Sequence, residues 1–186
     1  MERKIVTLGS LHTKHFSAHL DRVRLRNGQI TERIRVDHPE AVALVAFTDN
    51  NHILMVRQWR YAIARETLEI PAGKVDPGED PRSCAQRELV EETGYSPGNL
   101  VEFLSYFPAI GYSNERIIIY AASGLRRISH SFDEKEISKV EVIPLEKVSD
   151  LITNGSIQDG KTIIAISVFQ VRKRRGELPA EFFAPE

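Results

Sequence analysis

Apolar and polar residues change rhythm along this chain. From Ala18 to Val36 they alternate: A-H-L-D-R-V-R-L-R, then Asn27-Gly28, then Q-I-T-E-R-I-R-V. A period near two marks half-buried strands, and Asn-Gly between two such runs predicts a tight hairpin. One face carries Leu20, Val23 or Leu25 with Ile30, Ile34 and Val36, and the other is charged. An apolar face of that size needs a cover, from the rest of the chain or from a second copy. From Glu40 the alternation gives way to near-continuous apolar runs, A-V-A-L-V-A-F and I-L-M-V, separated by T-D-N-N. Strands buried on both faces read this way. V-E-F-L-S-Y-F, R-I-I-I-Y-A-A and V-E-V-I-P predict further strands, and Pro71 ends another, with Ala72-Gly73 opening a loop.

Helical signals punctuate the second half. Asp80 is a good N-cap, Pro81 suits the first helical position, and Gly94 after Thr93 supplies a stop. Leu145 to Ile152 and Lys161 to Arg172 have helical period, the latter with Ile164, Val168 and Val171 on one stripe. Strands mixed with two or three helices predict an α/β sandwich, a mixed sheet flanked by helices. Three regions follow: an N-terminal antiparallel hairpin subdomain over 1–39, a main domain over 40–176 and a tail over 177–186.

Composition narrows the function. A net charge of −1 argues against a general nucleic-acid or membrane-surface binder. No run approaches the 18 or so apolar residues of a membrane span. The single cysteine, Cys84, excludes an intrachain disulfide and points to a reducing, cytoplasmic setting. Cys84 itself reads as a small semi-buried helix residue. His12, His15 and His19 have spacings that could suggest metal ligation, but a strand context breaks that geometry and they read as surface histidines.

The chemistry concentrates in the helix after Asp80. Glu88, Glu91 and Glu92 stand at i, i+3 and i+4, so three carboxylates share one face. Like charges so spaced oppose the helix, and Arg87 cannot neutralise all three; a hard divalent cation such as Mg²⁺ takes an all-oxygen site of this kind. A solvated acidic face is the plainer reading of a lone E-x-x-E-E. The surroundings decide otherwise: residues 73–95 match G-x5-E-x7-R-E-U-x-E-E-x-G-U, U being apolar or aromatic, at Gly73, Glu79, Arg87, Glu88, Leu89, Glu91, Glu92, Gly94 and Tyr95. Seven of these positions demand one residue type, so chance agreement at a given start is on the order of 10⁻⁸ to 10⁻⁹.

That pattern is the signature of the Nudix hydrolases, and the chain resembles this family from about residue 40 onward. The resemblance implies an α/β/α sandwich and Mg²⁺-dependent hydrolysis of a nucleoside diphosphate linked to another moiety, with Mn²⁺ as a substitute. It implies metal ligation by Glu88, Glu92 and Glu91, completed by the Ala72 carbonyl, with Arg87 orienting the glutamates and Glu79 bracing the loop. The general base should come from a late loop, here F-D-E-K-E-I, where Glu136 is preferred to Glu134 and Glu115 is a further acidic candidate.

R-Q-W-R-Y (57–61), E-T-L-E-I-P-A-G (66–73) and G-Y-S-N-E (111–115) further resemble the ADP-ribose pyrophosphatase and nucleotide-sugar branch. Carried over, they assign substrate binding to Arg57, Trp59, Arg60, Glu66, Glu69 and Glu115. Ile110 stands where the ADP-ribose branch carries a proline, so GDP-mannose and other nucleotide sugars are implied alongside ADP-ribose. The branch also implies a homodimer in which N-terminal strands exchange. A nucleotide-sensing module without catalysis fits poorly, because every box carboxylate is kept. The basic run Arg172 to Arg175 prompts an RNA-processing reading, but a helix C-terminus favours such a run on its own account.

Overall fold

The alternating N-terminal segment folds into a sheet of its own. A computed structural model describes residues 1–49, 51–128 and 137–178. In it, β1 (Arg3–His12), β2 (Ser17–Arg24) and β3 (Ile30–Asp37) form an antiparallel sheet in that order. Gly28, at φ 87°, turns β2 into β3. Register pairs Leu20 with Ile34 and Ala18 with Val36, so these share a face, to which β1 adds Leu11 opposite Ala18. Leu11 and Ile34 are each 62% exposed, so the apolar face is left uncovered among the described residues. Val23 instead lies on the other face, opposite Thr31, and is buried. Asp21 shares that face, accepting from Thr7 Oγ1 at 2.6 Å and Arg35 Nε at 3.1 Å.

The main domain is built on β4 (Ala41–Ala46), every residue of which is buried. β5 (His52–Arg60) and β6 (Arg65–Glu69) follow, joined by a short 3₁₀ turn, and then β7 (Ala72–Lys74). Where the sequence predicts a loop at Ala72-Gly73, the backbone instead pairs with the exposed edge of β4, Ala43 opposite Ala72. The unmet hydrogen-bonding groups of β4 recruit it. Helix α1 (Pro81–Thr93) begins and ends as its caps dictate: the Asp80 side chain accepts from Ser83 N–H, and Gly94 closes it at φ 78°.

β8 (Tyr95–Ser96), β9 (Asn99–Tyr106), β10 (Ile117–Ser123), β11 (Arg126–Arg127) and β12 (Ile137–Pro144) lead to α2 (Leu145–Thr153) and α3 (Gly160–Arg175). One sheet runs β7-β4-β10-β9, parallel only between β4 and β10; a second, antiparallel, runs β12-β5-β6. Alternation along β4 divides the core. Val42, Leu44 and Ala46 pack with Cys84, Ala85 and Leu89 of α1. Ala41, Ala43 and Val45 face the second sheet and α3. The result is the α/β/α sandwich with a mixed sheet. The buried stripe of α3 is Thr162, Ala165, Ile166 and Phe169, and Val171 is exposed. The Phe169 ring, 4.7 Å from that of Phe47, sets the helix rotation that the period alone leaves open.

The N-terminal sheet is stitched to this domain near the start of β10. Val36 N–H donates to Tyr112 O at 2.7 Å, Asn114 N–H to Val36 O at 3.2 Å, and His38 N–H to Asn114 Oδ1 at 2.8 Å. The Phe16 ring stacks on His38 with centroids 6.2 Å apart.

Candidate active site

α1 and β7 meet at one wall of a cleft of about 760 Å³. Arg87 is the hub of that wall. Its Nε and Nη2 donate to the two carboxylate oxygens of Glu79 at 2.9 Å each, and its Nη1 donates to Glu88 at 2.7 Å and Glu91 at 3.0 Å. Glu79 in turn accepts from Asp76 N–H at 3.0 Å, which fixes the loop before the helix. The Arg87 hydrogen bonds come first in holding the Glu79 carboxyl down at about 2. Glu88 lies against the backbone of Gly73, where a Cβ would stand 1.9 Å from its Cδ. Only glycine lets the carboxylate approach the chain so closely.

Glu92 is 7% exposed and accepts from Ala72 N–H at 2.9 Å. Burial, with the charge of Glu88 adding to it, pushes its pKa up to about 8 despite that hydrogen bond and the cations of Lys161 and Arg60. Burial also raises Glu88, against the pull of Arg87. Among the described residues no three acidic, histidine or cysteine side chains converge as a metal cage. Glu88 and Glu91 turn to Arg87, and Glu92 turns to the Ala72 amide. The donor chemistry nevertheless fits a hard cation: Glu92, buried, and Glu88, half-buried, share one helix face, and carboxylates so enclosed favour the arrival of positive charge.

The second sheet supplies another wall, and strand parity sorts the remaining predicted residues. Gln58 and Arg60 of β5 line the cleft together with Ile137 of β12. Arg60 grips Glu69 in a fork, Nε to Oε1 at 2.8 Å and Nη2 to Oε2 at 2.5 Å. Thr67 Oγ1 and Lys161 Nζ also donate to Glu69, which is 2% exposed. Burial alone would raise this carboxyl, but Arg60, Lys161 and Thr67 overcome it and hold it at about 2. Arg57, Trp59 and Glu66 are absent from the cleft lining. Arg57 donates to Glu141, Ser138 donates to Glu66, and Trp59 is 59% exposed, so the lone tryptophan is not a core residue.

Glu115 lines the cleft, 3.6 Å from His38 Nδ1. Glu134 and Glu136 lie outside the described residues. Cys84 is buried, and burial first of all pushes its thiol up to about 12, so it is inert. His12 and His19 meet edge to face with ring centroids 5.6 Å apart, without a third ligand among the described residues.

Sequence reasoning passed over Lys161. Its only signal was the helix start D-G-K-T. Asp159 caps α3 by accepting from Thr162 N–H and Oγ1, and Thr162 Oγ1 accepts from Ile70 N–H at 3.0 Å. This ties the N-terminus of α3 to the end of β6 and brings Lys161 to the cleft.

Residues 37–165 match the NUDIX domain, and the chain belongs to that family. It is similar to a protein named methanol dehydrogenase activator from Bacillus methanolicus, 39% identical over 83% of this chain and 84% of that protein. It is also similar to an ADP-ribose pyrophosphatase from Bacillus subtilis (strain 168), 35% identical over 86% of this chain and 88% of that protein. Among solved structures, an ADP compounds hydrolase superposes with a TM-score of 0.78 at 24% identity, covering 95% of this chain and 98% of that one, which shows the same fold. The chain is a Nudix hydrolase, akin to the pyrophosphatases that cleave nucleotide conjugates.

Proposed function

We propose that this protein hydrolyses the diphosphate of nucleoside diphosphate sugars of the ADP-ribose and GDP-mannose type. Water adds across the P–O–P bridge, giving a nucleoside monophosphate and a sugar phosphate. The observation that carries the reading is the pair of enclosed carboxylates, Glu92 buried under the Ala72 amide and Glu88 half-buried against the Gly73 backbone, where burial disfavours the charged form of each. These two, with Glu91 and the Ala72 carbonyl, would hold Mg²⁺, or Mn²⁺ in its place. A divalent ion there supplies charge neutralisation for the diphosphate and acidifies a bound water.

The chain's own residues do the rest. Arg87 holds Glu79, Glu88 and Glu91 in register, so the carboxylates are ordered before substrate arrives. Arg60, oriented by its fork on Glu69, presents a permanently charged planar donor to the cleft. Lys161 adds an ammonium group on the same carboxylate. The proton of the attacking water passes to a carboxylate outside α1. Glu136 is the choice, because it directly precedes Ile137, a cleft residue; Glu134 and Glu115 are the alternatives.

A homodimer fits two further facts. The exposed face bearing Leu11, Leu20, Ile30 and Ile34 needs a cover. Arg57, Trp59 and Glu66 could then contribute to substrate binding in a partner's cleft, since parity turns them from their own. No helix among the described residues is long and apolar enough to cross a membrane. With one inert cysteine, that suits a reducing cytoplasm, with no membrane or nucleic-acid partner.

The test is turnover of ADP-ribose, GDP-mannose and UDP-glucose with Mg²⁺, followed by product identification. Glu136→Gln should slow the preferred substrate by about 10²–10⁴, the worth of a general base. An unchanged rate moves the base to Glu134 or Glu115. The 39% identity to the activator supports a second reading, in which the chain acts on a dehydrogenase. Adding it to a methanol dehydrogenase and measuring that enzyme's rate tests this.

A further inference from the structure

The N-terminal sheet reaches the cleft as well as presenting an uncovered face. The turn between β1 and β2 places Lys14 and His15 in the cleft lining, beside His38 and Glu115. The turn is held in shape. Thr13 N–H donates to Phe16 O at 3.0 Å, Thr13 Oγ1 accepts from His15 N–H at 3.2 Å and Phe16 N–H at 3.0 Å, and Phe16 stacks on His38. Lys14 is thus presented from a defined backbone.

Three other cations of the cleft are committed. Arg60 and Lys161 are bound to Glu69, Lys161 also to Asp159 at 3.1 Å, and Arg87 to three glutamates. Among the described residues no carboxylate pairs with Lys14 or Lys74. Lys74 belongs to β7, the strand that also carries Ala72 and Gly73, beside the carboxylates proposed to hold the metal. Lys14 comes from a different part of the chain, and Glu115, which lines the same cleft, is paired with His38. An ammonium group with no carboxylate partner among the described residues meets its charge partner when substrate enters.

We propose that Lys14 is a specificity-determining residue whose ammonium group binds an anionic group of the substrate beyond the scissile diphosphate. The cleft then favours nucleotide conjugates that carry a further phosphate or carboxylate. This deepens the hydrolase reading above and rests on it.

Calorimetric titration without metal, so that no turnover intervenes, tests it with matched pairs. UDP-glucuronate against UDP-glucose reports a carboxylate, and ADP-ribose 2′-phosphate against ADP-ribose reports a phosphate. The wild type should bind the charged member of at least one pair about three- to tenfold more tightly, the worth of one partly exposed charge-assisted contact. Lys14→Ala should bring that ratio to about one, Lys14→Arg should keep most of it, and salt at about 0.5 M should erode it. A wild-type ratio near one in both pairs, no binding of any of the four, or a ratio that survives Lys14→Ala overturns the proposal. Turnover of ADP-ribose or GDP-mannose with Mg²⁺ is read separately: its absence defeats the hydrolase reading, while the binding ratio still reports on Lys14.

Discussion

A carboxylate as enclosed as that of Glu92 takes up a proton or a cation more readily than it stays bare. Its pKa rises from 4.5 to about 8, so the folded protein keeps a proton that the unfolded chain releases. The metal-free fold therefore loses stability as pH rises through that interval. Glu92→Gln removes the penalty: in chelator at about pH 8 it should melt at or above the wild-type temperature, while turnover falls by roughly 10³ or more. Mg²⁺ should raise the melting temperature of the wild type only; a wild type that melts well above the variant in chelator contradicts the account. Glu69 behaves oppositely. Held at about 2 against an ordinary 4.5, it contributes stability that is full above pH 4.5 and lost as pH falls towards 2. Glu69→Gln leaves Arg60 without its carboxylate and Lys161 with Asp159 alone, and should cost about 3 kcal/mol at neutral pH. Denaturant titrations should show the gap between variant and wild type closing across that acid range.

At the scale of elements, the site depends on β7 and α1 lying in contact. Gly73→Ala would put a methyl group 1.9 Å from Glu88 Cδ. The end of a glutamate side chain can swing away, so stability should change by less than about 1 kcal/mol. Activity should fall by about 10²-fold, because the carboxylate no longer lies on the backbone. Equal activity in the variant would remove that contact from the mechanism. α1 was legible to the residue, since Asp80, Pro81 and Gly94 are local signals whose physics needs no tertiary context. The hairpin turn at Asn27-Gly28 was legible for the same reason. β7 was not, because pairing with β4 comes from a long-range edge that composition does not mark. The stripe of α3 was misread, because three apolar stripes are nearly equivalent by period and the contact of Phe169 with Phe47 chooses among them. The motif residues of β5 and β6 were recognised as a set, but alternation divides them. Arg60 lines the cleft with the buried Glu69 beneath it on the same face, and Arg57, Trp59 and Glu66 lie on the other face.

For the whole molecule, the proposed homodimer is supported by the exposed apolar face of the N-terminal sheet and by the outward set on β5 and β6. Sedimentation should show about twice the 21.1 kDa chain mass. Leu20→Asp combined with Ile34→Asp, a charge pair placed in the apolar face, should return it to a single-chain mass. A wild type that already sediments as one chain removes the dimer. The most direct measurement is the Mg²⁺ dependence of ADP-ribose and GDP-mannose cleavage by the wild type and Glu92→Gln. The account expects metal-dependent release of a nucleoside monophosphate and a sugar phosphate, lost in the variant. Cleavage of neither substrate with Mg²⁺ or Mn²⁺, or wild-type rates from Glu92→Gln, would contradict it.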